Sequence, residues 1–285
     1  MIVRAPASTA NLGPGFDCAA AALDLWNELE VSEGQHEVVL HGEGVEELPL
    51  DENHLTLRAF SLFADPERYR FRFDNHIPLE RGLGSSAAAI AAGLVAGAAV
   101  SGRDVGSDEL LELGLPLEGH ADNLTAALRG GVCLIWRNGA GPHTARIAAD
   151  LPLTPIVVVP SSRVNTLASR GRLPRELPYG DAVAASAQAA LLGAAAASGD
   201  AKLLAAAFHD LLHEPYRAAD APLLPELRAY PIEGQLGVTL SGSGPSVVVW
   251  AEKSRAAVVA LALEGRYHDT TVLPLRIANR GATAE

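Results

Sequence analysis

The sequence predicts an α+β fold in two domains, and three observations carry that expectation. At 285 residues the chain is long enough for two modest cores. Strand-like alternation runs to about residue 80, after which the period becomes helical, with strands and helices mixed beyond residue 150. No βαβ unit repeats, which argues against one doubly wound parallel sheet. The boundary is expected near residues 150–160, where "DLPLTPIVVVPSS" brings a proline-punctuated apolar strand, giving domains 1–150 and 151–285.

Taken in order, "EVSEGQHEVVLHG" (30–42) has apolar positions two apart. "YRFRFDN" sets Tyr69, Phe71 and Phe73 on one face with arginines opposite, an antiparallel-looking β region. Ser85 to Val100 is a helix with small residues all round, suited to close packing on a sheet. A second helix opens near Ser107 with a Ser-x-x-Glu-like cap region, and "GGVCLIW" is a short buried strand. A polar loop is expected through Leu177, then helices over Asp181–Gly199 and Ala201–Leu212. "GVTLSGSGPSVVVWAE" reads as strand, glycine turn, strand; Ser254–Gly265 as the last helix; "TTVLPLRIA" as the last strand.

Composition narrows the function classes. Hydrophobic residues make up 48% and charged residues 20%, ordinary for a globular protein, and the 5% of aromatics point to an aliphatic core. A net charge of −12 argues against a general nucleic-acid or anionic-membrane surface. The start shows no basic flank plus apolar core of a signal peptide, and no run looks membrane-spanning. Cys18 and Cys133 are too few for a disulfide framework. A cytoplasmic protein is expected.

The chemistry gathers around "PLERGLGSSAAAI" (78–90). The pattern Gly82-x-Gly84-x-x-Ala87 formally meets the dinucleotide fingerprint, but that motif must follow a buried strand, and "DNHIPLER" precedes it. A Walker loop needs a lysine, and the chain's two, Lys202 and Lys253, lie far downstream. A phosphate cradle without lysine fits: glycines let successive N–H groups face one point, and the helix beginning near Ser85 adds its positive end. A plain glycine turn with a serine cap is the bland alternative. Three further stretches favour the cradle: "PASTANLGPGFD" (6–17), "EGHADN" (118–123) and "LSGSGPSV" (240–247).

In "PASTANLGPGFD", "PLERGLGSSAA" and "LSGSGPS", taken in that order, the chain resembles the homoserine kinase family of the GHMP small-molecule kinase superfamily. "EGHADN", "TLASR" (166–170) and "HEPYR" (213–217) are similar to that family's substrate signatures. The resemblance spans nearly the whole chain and implies the two-domain GHMP kinase fold: an N-terminal β-rich α+β domain and a C-terminal ferredoxin-like α/β sandwich. It implies transfer of the γ-phosphoryl group of ATP to the side-chain hydroxyl of L-homoserine, on the route to threonine. Small molecules are then the partners, with no nucleic acid and no membrane; a homodimer is left open.

By the same resemblance Gly82, Leu83, Gly84, Ser85, Ser86 and Ala87 hold phosphates, Asn53 lies near the adenine, and Gly242, Ser243 and Gly244 complete the ATP site. Ser86 and Glu118 would hold Mg²⁺, an ion that prefers hard oxygens; Glu112 is the alternative ligand. The homoserine site falls to Asn11, Asp17, His120, Asn123, Thr166, Arg170 and Arg217, the arginines being natural bidentate carboxylate partners. Asp17, Ser86 and Glu118 form the expected catalytic set, Asp17 positioning the substrate with base character left open. The family usually has proline where Ala121 stands, which loosens the loop carrying His120; Ala185 or Ser186 stands where an asparagine is frequent. Other readings of single residues are turn or surface roles for Asp17, His120 and the arginines, a zinc pair at His209 and His213, and a buried inert thiol at Cys18. Two rival functions are another GHMP kinase, of mevalonate, shikimate or sugar type, and a nucleotide-binding regulator that has lost catalysis.

Overall fold

A computed structural model describes residues 1–139 and 141–285. Its strands are β1 (Ile2–Ala10), β2 (Ala19–Glu33), β3 (Glu37–Gly42), β4 (Tyr69–Asn75), β5 (Val132–Arg137), β6 (Pro142–Ala148), β7 (Leu153–Pro160), β8 (Gln235–Leu240), β9 (Val247–Glu252), β10 (Thr270–Pro274) and β11 (Thr283–Ala284). The helices are α1 (Leu55–Phe60), α2 (Ser85–Val100), α3 (Ser107–Glu118), α4 (Ala121–Arg129), α5 (Thr166–Arg170), α6 (Tyr179–Ser198), α7 (Ala201–Ala207), α8 (Glu214–Arg217), α9 (Leu223–Ala229) and α10 (Ala256–Arg266). The first sheet runs β11-β1-β2-β4-β3, with β5 also on β2 and β6 on β5. The second is antiparallel, β10-β7-β9-β8. The fold is therefore α+β, as expected, and the last strand returns to the first sheet.

Alternation explains the strands. Along β4, Tyr69, Phe71, Phe73 and Asn75 are buried and the residues between them exposed. Phe60 of α1 meets the Tyr69 and Phe71 rings edge-on at 5.2 and 5.0 Å, each fully buried side chain of this size contributing about 1.5–3 kcal/mol. In α2 alanine and glycine dominate and ten residues are buried, so β1, α1, α3 and α4 all pack against it. In the second sheet Trp250 stacks on Phe208 at 5.1 Å and donates Nε1–H to Thr239 Oγ1.

Several local expectations need correction. β3 pairs β4 in parallel, not antiparallel: alternation reports a half-buried strand but not its partner's direction. The helix expected to reach Leu212 ends at Ala207, because Asp210 accepts from the N–H groups of Leu212, His213 and Glu214 and starts a new turn. The polar loop before Leu177 contains α5. Gly106, not Ser107, caps α3, without a side-chain bond. Helices α1, α4, α8 and α9 and strands β6 and β11 have no counterpart in the expectation. Among the described residues no helix is long and apolar enough to cross a membrane.

Candidate active site

Between β4 and α2 the chain turns through Pro78–Gly84. Gly82 and Gly84 have φ of 74° and 66°, the left-handed region. A Cβ would stand 2.1 Å from the Ser241 carbonyl oxygen at Gly82, and 2.1 Å from Ser8 Oγ at Gly84; only glycine fits either place. Gly84 is the N-cap of α2 and makes no side-chain bond to it. The first-turn N–H groups of the sixteen-residue helix are therefore left for another acceptor, and the helix dipole favours an anion there. The turn is pinned from behind: Ser8 N–H donates to Leu83 O at 3.0 Å, Ser241 Oγ to Gly82 O at 2.7 Å, and Ser8 Oγ to Asn123 Oδ1 at 2.8 Å.

Two cavities meet over this turn, both reaching Glu80, Ser85 and Ser86. One, of about 400 Å³, runs along α1 and β4 and is lined by Leu48, Asn53, His54, Leu55, Phe73 and Leu79 among others. The other, of about 280 Å³, is polar and lies between the sheets. Its floor is the loop Asn11–Asp17, where Asn11, Leu12 and Asp17 have φ of 74°, 47° and 56°. Such strain in three non-glycine residues persists only where surroundings hold it. Here Asn11 is the tie: its Oδ1 accepts from Asp17 N–H at 3.1 Å, and its Nδ2 donates to Gly242 O at 3.0 Å.

Charges of both signs converge on the polar cavity. Arg170 Nη2 donates to both Asp17 oxygens at 2.7 and 2.9 Å. Phe16 carries the Arg170 and Arg217 guanidiniums 5.4 and 5.3 Å from its ring centroid. Arg217 is 2% exposed, and burial, with Arg170 nearby, pulls its proton affinity below the usual range. Among the described residues Nε of each arginine has no partner. Asp122, 6% exposed, is pushed up by burial, Asp17 adding to the rise. α5 is tied to the second glycine turn through Thr166 Oγ1 and Ser243 Oγ, 3.2 Å apart, and Ser169 Oγ donating to Ser243 O.

At the junction of the cavities Ser86 Oγ donates to Glu118 Oε1 at 3.0 Å. Burial, only partly offset by the Ser86 bond and reinforced by Asp122, pushes the Glu118 carboxyl up to about 7. A carboxylate so short of positive charge, beside a hydroxyl and the anion-facing helix end, is a donor pair suited to Mg²⁺, which keeps waters and substrate phosphates as its other ligands. Glu112 is exposed on another face of α3 and lines neither cavity.

Of the residues expected from sequence, Asn11, Asp17, Gly82, Leu83, Gly84, Ser85, Ser86, Glu118, His120, Asn123, Thr166, Arg170, Arg217, Gly242 and Ser243 all line the polar cavity. Asn53 lines the apolar one. Ala87 is buried in the first turn of α2, and Gly244 lines neither cavity. Sequence reasoning passed over Phe16, Glu80, Asp122 and Asn165, which also line the polar cavity; Phe16, Glu80 and Asp122 stand inside the quoted motifs, which was the available signal. His209 is exposed and His213 buried, so they do not form a metal pair, and no group of three or more His, Cys, Asp or Glu suited to a metal occurs among the described residues. Cys18 is half-buried where a buried thiol is expected, and burial, with Asp17, pushes its thiol up, away from the reactive thiolate.

A lysine-free glycine turn heading a buried helix, set between two sheets, defines the class: residues 54–131 match the family model described as GHMP kinases N terminal domain. Curated relatives carry the assignment further. The homoserine kinase of Moorella thermoacetica is 38% identical, with 99% of this chain and 98% of that protein covered. That of Streptomyces avermitilis is 42% identical, with 92% and 90% covered. The crystal structure of homoserine kinase from Cytophaga hutchinsonii superposes with a TM-score of 0.84 at 25% identity, covering 99% of this chain and 96% of that one. The chain belongs to the homoserine kinase family.

Proposed function

We propose that the protein transfers the γ-phosphoryl group of ATP to the side-chain hydroxyl of L-homoserine, giving O-phospho-L-homoserine and ADP. The observation that carries this is the continuity of three environments: an apolar cavity, the bare N–H groups of α2, and a polar cavity holding two arginines with Asp17 and Asp122. They suit in turn a nucleobase, a polyphosphate and an amino acid with charged ends.

Phosphoryl transfer needs alignment and charge neutralisation more than covalent help. The amides of Gly82–Ala87 would take the phosphate oxygens, with Asn53 beside the base and the Gly242–Gly244 turn closing behind. Ser86 and Glu118 would hold Mg²⁺, which when bound supplies charge neutralisation of the phosphates. Arg170 and Arg217 would bind the homoserine carboxylate. Asp17 and Asp122 are the carboxylates for the ammonium, and Asn11, His120, Asn123 and Thr166 complete the clamp. Because both Asp17 oxygens already engage Arg170, a zwitterion can enter by exchange: its carboxylate takes the arginine and its ammonium the aspartate. Asp17 thus acts as a positioning group. The hydroxyl oxygen forms the new bond to phosphorus, the bridging oxygen leaves with ADP, and the hydroxyl proton passes to the medium.

The two sheets support a division into domains 1–150 and 151–285 about this cavity, β11 crossing back. The two cysteines, free of any disulfide, suit a reducing cytoplasm. The test is a coupled ADP-release assay over homoserine, mevalonate, shikimate and sugars with Mg²⁺ present. Turnover of homoserine above all others is expected. Turnover of another alcohol without homoserine would overturn the substrate, and ATP binding with no ADP release from any acceptor would overturn the activity.

A further inference from the structure

Behind the polar cavity lies a buried imidazole that the reaction above does not use. His213 is 0% exposed and heads α8, the short turn that carries Arg217. Its Nε2 lies 2.9 Å from the Gly13 carbonyl oxygen. A carbonyl can only accept, so Nε2 carries the hydrogen and Nδ1 presents a bare lone pair. Arg217 Nη1 lies 3.3 Å from that Nδ1 and 3.2 Å from Gly242 O, donating to both. The imidazole also stacks on Phe16 at 5.1 Å. Asp210 lies 3.6 Å from Nε2, yet burial outweighs its charge and holds the ring's proton affinity down at about 4, so the imidazole is neutral at working pH.

We infer that His213 is a positioning residue for the amino-acid substrate: accepting from Arg217 and donating to Gly13, it sets the direction in which the Arg217 guanidinium enters the cavity. Arginine has many rotamers and its Nε has no partner among the described residues, so with Gly242 O as the one remaining acceptor on Nη1 the fork would be held at a single point and would not stay aimed. The same imidazole ties the Asn11–Asp17 loop to Arg217 and, through Gly242 O, to Asn11 Nδ2. Both ends of the substrate clamp thus share one support. A residue that only filled the core would affect both substrates alike.

The inference rests on Arg217 as the partner of the homoserine carboxylate, and its test keeps the two claims apart. His213→Phe, His213→Asn and His213→Gln are compared with wild type and with Arg217→Ala by steady-state kinetics, alongside thermal melts. His213→Phe is expected to raise KM for homoserine roughly ten- to a hundredfold, the range for losing a hydrogen bond to a charged group, with KM for ATP changed less than about twofold. His213→Asn, which keeps an acceptor near Nδ1, should recover most of the loss; His213→Gln, which keeps only the reach toward Gly13, should not. On the Arg217→Ala background His213→Phe should add less than about twofold. Parallel rises in both KM values, equal kinetics of the Asn and Gln variants, or a full His213→Phe effect without Arg217 would each overturn it. If the Phe variant does not fold, the Asn and Gln pair carries the same test. No turnover of homoserine by wild type would instead sink the proposed reaction.

Discussion

The two ends of the catalytic cavity are built by different means. At Gly82–Ala87 the groups that face a ligand are main-chain amides, aimed by the φ angles of one continuous turn and by the axis of α2. At the amino-acid end they are side chains: Asp17 after β1, Asp122 on α4, Arg170 on α5 and Arg217 on α8. A main-chain site loses a donor only to proline; any other side chain leaves the amides in place, and the site fails when a Cβ intrudes. A side-chain site can lose one member and keep its shape, so damage there is confined to the substrate that member touches.

The sharpest way to break this contrast is Gly82→Ala. Its Cβ meets the Ser241 carbonyl oxygen at 2.1 Å with φ at 74°, and neither backbone can yield without opening the turn. A fall of about a thousandfold or more in kcat/KM is expected, with homoserine and ATP affected together. Titration of both substrates checks it, and near-normal ATP affinity would show that the amides do not hold phosphate.

Glu118→Gln tests the junction and should lower kcat about a hundredfold, whereas Glu112→Gln, on an exposed face of α3, should leave activity within twofold. Stability moves the other way. Glu118 rises from an ordinary 4.5 to about 7 in the folded protein. Between those values the native state holds a proton that the unfolded chain has released. Its contribution is fully present below about 4.5 and is lost as pH rises through 7. Without nucleotide or metal, Glu118→Gln should therefore be more stable than wild type by about 3 kcal/mol at pH 8 and equal to it near pH 4.5. Melts at the two pH values check the sign; a variant less stable at pH 8 would contradict the burial argument.

Legibility in the sequence follows the same division. Gly82, Gly84 and α2 could be read because a turn and the helix it starts are one continuous local pattern. Glu118 is preferred to Glu112 on the resemblance alone, since which face of α3 turns inward depends on Ser86, far away in the chain. Asp122 stands between two residues assigned to the site, yet its burial is a property of the packed α4 and cannot be read from "EGHADN". The direction of β3 against β4 was likewise decided by a partner outside the local pattern, whereas α7 ends at Ala207 through the local Asp210 turn, which the apolar periodicity of the segment masked.

Within the side-chain end, Arg217 and Arg170 are unequal in ways that give graded effects. Arg217→Ala removes a guanidinium that is 2% exposed and aimed by His213 and Gly242. KM for homoserine should rise about a hundredfold while KM for ATP stays level. Arg170 has a side chain 37% exposed and already pairs with Asp17, itself 43% exposed. Substrate must break that pair before using either member, so the gain from Arg170 is a difference between two ion pairs, in a place where water screens both. Arg170→Ala should therefore raise KM for homoserine only about tenfold, and added salt should shrink the gap from wild type. Asp17→Asn, which frees Arg170 but removes the ammonium's partner, should not add its full effect to Arg170→Ala, since the two share one interaction. Kinetics of the two single variants and the double variant give that coupling directly. Additive effects, or an Arg170→Ala loss exceeding that of Arg217→Ala, would mean that the ion pair is a surface latch standing apart from the substrate.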